Sequence, residues 1–234
     1  IIIQIVYYFF SYFKIAKKDE KINFSVPTGN FGDIYAGYMA KKMGLPINKL
    51  IIATNKNDIL KRVVNTGLYK PTKVNHTISP SMDIQVASNF ERLIFDICSC
   101  NSEKTLKLMN DLNKIGEFQL ESHELKKINE SFSAESLSEK ETKLIINEFY
   151  KNQKILIDPH TAVGIGVIKK TLLEGNTIIL ATAHPSKFPD VVVKETNVKP
   201  ELPENLKNIL VEKEKYEKLP NNLKNIQSYI LERV

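Results

Sequence analysis

Cysteine is nearly missing from this chain: Cys98 and Cys100 are the only two in 234 residues. That excludes a disulfide framework and fits a reducing, cytoplasmic compartment. Glycine is also scarce, at nine residues, which excludes collagen-like sequence. Of the 33 basic residues only Arg62, Arg92 and Arg233 are arginines. Readers of nucleic acid favour arginine for its planar fork and its stacking. Scattered lysines mixed with acids, as in Lys213–Lys218, describe a solvated surface, so the net charge of +6 implies no nucleic-acid partner. His76, His123, His160 and His184 stand far apart, and Cys98-x-Cys100 is too short for a zinc knuckle, so no metal is expected. The opening apolar run Ile1–Phe13 meets Lys14, Lys17 and Lys18 before the ~20 residues of a membrane span. It also lacks the preceding positive charge and following small residues of an export signal. No membrane partner is expected.

What is present is a core-forming share of apolar residues, 42% of the chain. The run beginning at Ile1 reads as the last turns of a buried helix belonging to a longer polypeptide. Strand signals at Ile22–Val26, Lys49–Thr54, Ile155–Asp158 and Thr177–Thr182 alternate with helical ones at Ile34–Met43, Asp58–Val64, Met82–Cys98, Lys104–Lys114, Thr142–Asn152 and Ala162–Leu173. Gly44 and Pro46 close the first of these helices, and Ser138-Glu-Lys-Glu141 is a capping box opening the fifth. Strand, glycine turn, helix and strand make a βαβ unit, so an α/β fold with a parallel sheet is expected over residues 1–234. Residues 116–141 are polar and read as a surface insertion. The tail 203–234 reads as helix broken near Pro220.

Three places draw chemical attention. Thr28-Gly29-Asn30-Phe31-Gly32-Asp33 joins a strand to a helix, where backbone N–H groups and the helix dipole suit an anion. A plain tight turn with Asp33 capping the helix is the competing reading. Asn55-Lys56-Asn57-Asp58 resembles the guanine reader of GTPases, but no Lys-Ser/Thr follows Gly29–Asp33 to complete a P-loop. A strand-end Asn followed by a helix-capping Asp is the simpler account. His160 and His184 each follow a strand end, where ligands of parallel sheets collect, and are expected to line one pocket or merely to pack loops.

Together these segments resemble threonine synthases. Val26-Pro-Thr-Gly-Asn-Phe-Gly-Asp33, Ala53–Leu60, Ser79–Ile84 with Ser88–Arg92, Asp158-Pro-His-Thr-Ala162 and Ala181–Phe188 occur in that family's order, and Gln4–Phe9 resembles its helix before the phosphate loop. The likeness spans nearly the whole chain and implies a tryptophan synthase β-like fold of a pyridoxal 5'-phosphate enzyme. It implies conversion of O-phospho-L-homoserine and water to L-threonine and phosphate, by γ-elimination and β-addition. Gly29, Asn30, Phe31, Gly32 and Asp33 match the cofactor-phosphate loop, and Thr182 the hydroxyl facing the pyridine nitrogen. Ser81, Asp83, Asn89, Arg92 and His160 fall on the substrate side, with Arg92 as a phosphate clamp or as part of a plain helix packing face. The family's Schiff-base lysine lies in an aromatic-Lys-Asp context, and no such tripeptide occurs here. This polypeptide alone is therefore expected to have no turnover. A silent phosphate-binding relative and a GTP-binding domain are the alternatives.

Overall fold

Alternation of side chains along two apolar strands places the sheet and its two covering layers. The computed structural model describes residues 1–209 and 211–233. It forms two compact units, Ile1–Pro200 and Glu201–Val234. In chain order the first unit contains α1 (Ile2–Ile15), β1 (Ile22–Pro27), α2 (Gly32–Lys42), β2 (Ile47–Thr54), α3 (Ile59–Thr66) and β3 (Leu68–Tyr69). It continues with α4 (Phe90–Ile97), α5 (Ser102–Ile115), β4 (Phe118–Gln119), α6 (Ser122–Ser131), β5 (Phe132–Ser136) and α7 (Glu139–Gln153). The last elements of this unit are α8 (Pro159–Ile168), β6 (Thr177–Ile179) and α9 (Pro189–Thr196). A four-stranded parallel sheet runs β5-β2-β1-β6, and β3 pairs antiparallel with β4.

Strand β1 is buried along its whole length, as expected of a central parallel strand. Ile22, Phe24 and Val26 share one core with Leu50 and Ile52 of β2 and with Tyr8, Ile34 and Val63 from three helices. Ser25 points to the other face, where its hydroxyl donates to the Gly164 carbonyl of α8 at 2.7 Å. A second core lies there, built from Ala53, Ile146, Ala162, Val163 and Val167. Helices thus cover both faces, and α1 reaches α2 because Gly37 has no side chain. A Cβ there would meet the Tyr8 ring at 2.6 Å.

Helices α2 and α3 and strands β1 and β2 fall within a few residues of their expected positions, and the Ser138–Glu141 capping box opens α7. Other expectations need correction. The run from Met82 is not one helix: a 3-10 turn at Pro80–Met82 gives way to an irregular stretch, and α4 begins only at Phe90. Segment 116–141 is no surface insertion, since it holds α6 and β5, and β5 pairs with β2 from Leu50↔Phe132 to Thr54↔Ser136. Ile155–Asp158 is not strand. Helix α1 is buried on one side only, at Tyr8 and Tyr12, with Ile2, Ile3, Val6, Phe10 and Phe13 exposed. Among the described residues of the second unit one α-helix, α10 (Leu223–Leu231), follows Pro220, preceded by a 3-10 turn at Glu204–Leu206. The tail is therefore mostly non-helical; Leu210 and Val234 of the expected helical tail lie outside the described residues.

Candidate functional site

The carboxyl end of β1 delivers the chain into Thr28–Phe31, which turns at once into α2. Thr28 is fixed by its N–H to the Ala53 carbonyl (2.8 Å) and its hydroxyl to the Val26 carbonyl (2.6 Å). Phe31 then adopts a left-handed conformation, φ 65°, as the residue preceding α2. Its ring packs edge-on to Phe90 at 5.1 Å, so the core holds a backbone turn that is uncommon for such a residue. Among the described residues none accepts a hydrogen bond from the backbone N–H of Gly29, Asn30, Phe31, Gly32 or Asp33. Five consecutive donors thus stand at the start of an eleven-residue helix, where the helix dipole also favours negative charge.

Two neighbouring segments wall this loop. A Cβ built on Gly29 would lie 2.4 Å from the Ser81 carbonyl oxygen, so only glycine fits under Ser81. On the other side Asn89 donates its backbone N–H (3.1 Å) and side-chain amide (3.0 Å) to the Asn30 carbonyl. The Asn89 side-chain oxygen accepts from Arg92 Nε at 3.0 Å, and Arg92 is itself exposed. Gly32, Asn89 and Arg92 share a cavity of about 750 Å³ with Gln4 and Tyr35.

Asp33 does not cap α2. Its carboxylate accepts from the hydroxyls of Tyr7 and Tyr8 on α1, and Tyr8 also donates to the Asp33 carbonyl at 2.9 Å. Burial raises the Asp33 carboxyl above its ordinary value, while the two phenols act in the opposite direction. Both phenols are pushed up in turn, by burial and by the Asp33 charge. The acid is thereby held against α1 although it sits in the first turn of α2. Sequence reasoning missed this pair of tyrosines; their position on an apolar helix gave no sign of a partner.

Asp33 and Thr182 do come together, lining a cavity of about 590 Å³ with Gln4 and Ile179. Thr182 is exposed, just past β6. A further cavity of about 570 Å³ joins Thr182 to His184, Asp158 and Thr161. His184 is thus in reach of Thr182, whereas His160 lies below the surface, 3% exposed. His160 Nε2 accepts the Ser81 N–H at 3.3 Å and its Nδ1 faces Asp158 Oδ1 at 3.0 Å.

Asp83 bonds to the protein itself. Its carboxylate accepts from Asn55 (2.8 Å), Asn57 (3.0 Å), the Thr77 N–H (2.7 Å) and the Thr77 hydroxyl (2.7 Å). It clamps the irregular stretch before α4, which is why Ile84 and Ala87 fall outside that helix. The Asn55 amide also reaches the Ser79 hydroxyl at 2.9 Å. Asn55 and Asn57 are therefore loop fasteners, and Asp58 forms an ion pair with Arg62 (3.0 Å) without capping α3. Among the described residues no group of His, Cys, Asp and Glu could hold a metal ion, and no helix is long and apolar enough to cross a membrane.

Comparison with known proteins bears on this arrangement. A family model described as threonine synthase, C-terminal, matches residues 161–230. The chain is similar to threonine synthase of Pseudomonas aeruginosa, 39% identical over 233 residues, covering 98% of this chain and 50% of that protein. Its fold is similar to that of PLP-bound threonine synthase from Brucella melitensis, with a TM-score of 0.89 at 43% identity, covering 98% of this chain and 50% of that one. Yeast threonine synthase superposes with a TM-score of 0.83 at 36% identity, covering 98% and 51%. The chain spans about half the length of the curated relatives it matches. Matched over nearly all its residues and in the order of its elements, it belongs to the threonine synthase family.

Proposed function

We propose that this chain is the C-terminal part of a threonine synthase and that its β1–α2 loop holds the phosphate of pyridoxal 5'-phosphate. One observation carries the reading: five successive backbone N–H groups, Gly29 to Asp33, have no protein acceptor among the described residues and open a helix of eleven residues. The residues fit a phosphate in two further respects. Gly29 keeps the loop low under Ser81, and the nearest acid, Asp33, is turned onto Tyr7 and Tyr8. When bound, pyridoxal phosphate supplies an electron sink for carbanions at a bound amino acid.

Each residue then has a task that its surroundings support. The loop amides bind and orient the phosphate. Thr182, exposed on the cavity that Asp33 also lines, offers a neutral hydroxyl to the pyridine nitrogen and so does not enforce a protonated ring. Arg92, with its Nε on Asn89 and its side chain lining the 750 Å³ cavity, suits the phosphate of O-phospho-L-homoserine. Asn89 places that guanidinium and fastens the loop at Asn30. Asp83 and His160 support neighbouring backbone and do not touch substrate. The reaction is conversion of O-phospho-L-homoserine and water to L-threonine and phosphate, in the cytoplasm.

The lysine that family members carry in an aromatic-Lys-Asp context is absent from these 234 residues. Proton transfer at the substrate carbons depends on that amine. Phosphate release from O-phospho-L-homoserine with added pyridoxal phosphate tests the proposal. The chain alone should stay at background, and joining it to the lysine-bearing half of a threonine synthase should give phosphate and threonine together. Turnover by the chain alone would overturn the inactivity. A joined protein that binds no pyridoxal phosphate would overturn the function.

A further inference from the structure

The buried His160–Asp158 pair has a geometry that a substrate contact does not explain. His160 is 3% exposed and Asp158 1%. Both ring nitrogens of His160 are occupied: Nε2 accepts the Ser81 N–H at 3.3 Å, which leaves the proton on Nδ1 to donate to Asp158 Oδ1 at 3.0 Å. Asp158 is fixed in its turn at the start of α8, accepting the N–H groups of His160 (2.8 Å) and Thr161 (3.3 Å) and the Thr161 hydroxyl. Burial works against its charge, but the donors from His160 and Thr161 hold its carboxyl below the ordinary range. The Phe188 ring packs against the imidazole, centroid to centroid 4.9 Å. Ser81, the group so held, is exposed, yet its carbonyl is what lies over Gly29.

We propose that His160 is a positioning residue: with Asp158 behind it, it holds Ser81 by its backbone so that the Ser81 carbonyl closes over Gly29 and sets the height of the anion loop. This inference rests on the reading of that loop as the phosphate site. It joins three segments distant in sequence, 28–33, 79–83 and 158–160, through one neutral imidazole. Asp158 fixes the tautomer, the tautomer presents an acceptor to Ser81, and Ser81 limits how far the loop can rise. His160 itself reaches no ligand.

The test uses the intact enzyme, this chain joined to the half that supplies the lysine, with three variants. His160→Gln places an amide oxygen near Nε2 and keeps an acceptor for Ser81. His160→Asn keeps a donor for Asp158 but is too short to reach Ser81. His160→Leu removes both. Two readouts apply: hydrogen exchange of the Ser81 amide in the ligand-free protein, and affinity of the apoenzyme for pyridoxal phosphate, with inorganic phosphate as competitor. His160→Asn and His160→Leu should speed Ser81 exchange and weaken pyridoxal phosphate about tenfold, the scale of one lost hydrogen bond. His160→Gln should restore both to within about threefold. Equal exchange and affinity in Asn and Gln variants would overturn the proposal, and that pair decides it even where the Leu variant fails to fold. Should the wild type bind neither probe, the phosphate reading fails, while Ser81 exchange still judges the role of His160.

Discussion

Adjacent strands β1 and β2 end in loops that each resemble a ligand-binding motif in sequence and whose polar groups are used in opposite ways. After β1, Gly29–Asp33 presents backbone N–H groups that no described residue accepts, and the one acid nearby is drawn off by tyrosines. After β2, Asn55 and Asn57 direct their side chains inward onto Thr77, Ser79, Asn75 and Asp83. The first loop has donors to offer a ligand; the second has already used its own to hold the protein. A phosphate-like or guanine-like motif is thus told apart by what its polar groups already bind.

The largest expected effect breaks the first loop. Gly29→Ala puts a Cβ 2.4 Å from the backbone oxygen of Ser81, and neither backbone can yield cheaply. The loop must rise, and in the intact enzyme the affinity for pyridoxal phosphate should fall ~100-fold, the scale of a misplacement near 1 Å. Titration of the apoenzyme measures it. Near-normal binding would mean that the loop does not hold the phosphate.

The second loop should break differently. Asp83→Ala removes the acceptor of four hydrogen bonds, strands the Thr77 N–H, and takes one partner each from the Asn55 and Asn57 amides and the Thr77 hydroxyl. A stability loss of about 3 kcal/mol follows from such a deletion. Urea unfolding should show a lower midpoint with unchanged slope. A variant that keeps its midpoint but loses substrate binding would return Asp83 to the substrate side.

A pH titration sharpens the contrast from the first loop's side. Folding raises the Asp33 carboxyl above 3.8, chiefly by burial. The native state therefore holds more protons than the unfolded state in the window starting at 3.8. Asp33's contribution is most favourable below that value and is lost as pH rises through its folded value. The stability of wild type relative to Asp33→Asn should accordingly decline as pH rises from about 4 toward neutrality. Unfolding midpoints at several pH values check this, and an opposite slope would show that the tyrosine donors outweigh burial.

Much of this was legible in the sequence, and the gaps have physical causes. The apolar runs of β1 and β2, the Gly44–Pro46 stop and the Ser138 capping box are local signals, and the structure keeps them. Strand β5 escaped notice because an edge strand need bury only one face, and Phe132-Ser-Ala-Glu-Ser136 has a single large apolar side chain. The Met82–Cys98 region has helical spacing throughout, but the Asp83 clamp, made with residues up to 28 positions away, overrides its first half. The strand-loop-helix context of Gly29–Asp33 was legible because glycine and the flanking apolar runs are local signals. The roles of Asp83, Asp33 and His160 depended on partners from other elements, which spacing alone does not disclose.

The smallest effect is expected at the one residue of the second loop that faces solvent. Lys56 is exposed between the buried Asn55 and Asn57, and it makes no ion pair among the described residues. Were Asn55–Asp58 a nucleotide reader, Lys56 would matter to the ligand and GTP would compete for the protein. As a loop fastener the motif needs only its asparagines, so Lys56→Ala should change stability by no more than about 0.5 kcal/mol. Affinity for pyridoxal phosphate should be unaltered, with and without excess GTP. The contrast with Asp83→Ala matters here, since both changes remove one charge from the same loop region. If only the charge with internal partners proves costly, the loop after β2 serves the fold. A loss on Lys56→Ala, or displacement of pyridoxal phosphate by GTP, would give that loop a ligand of its own.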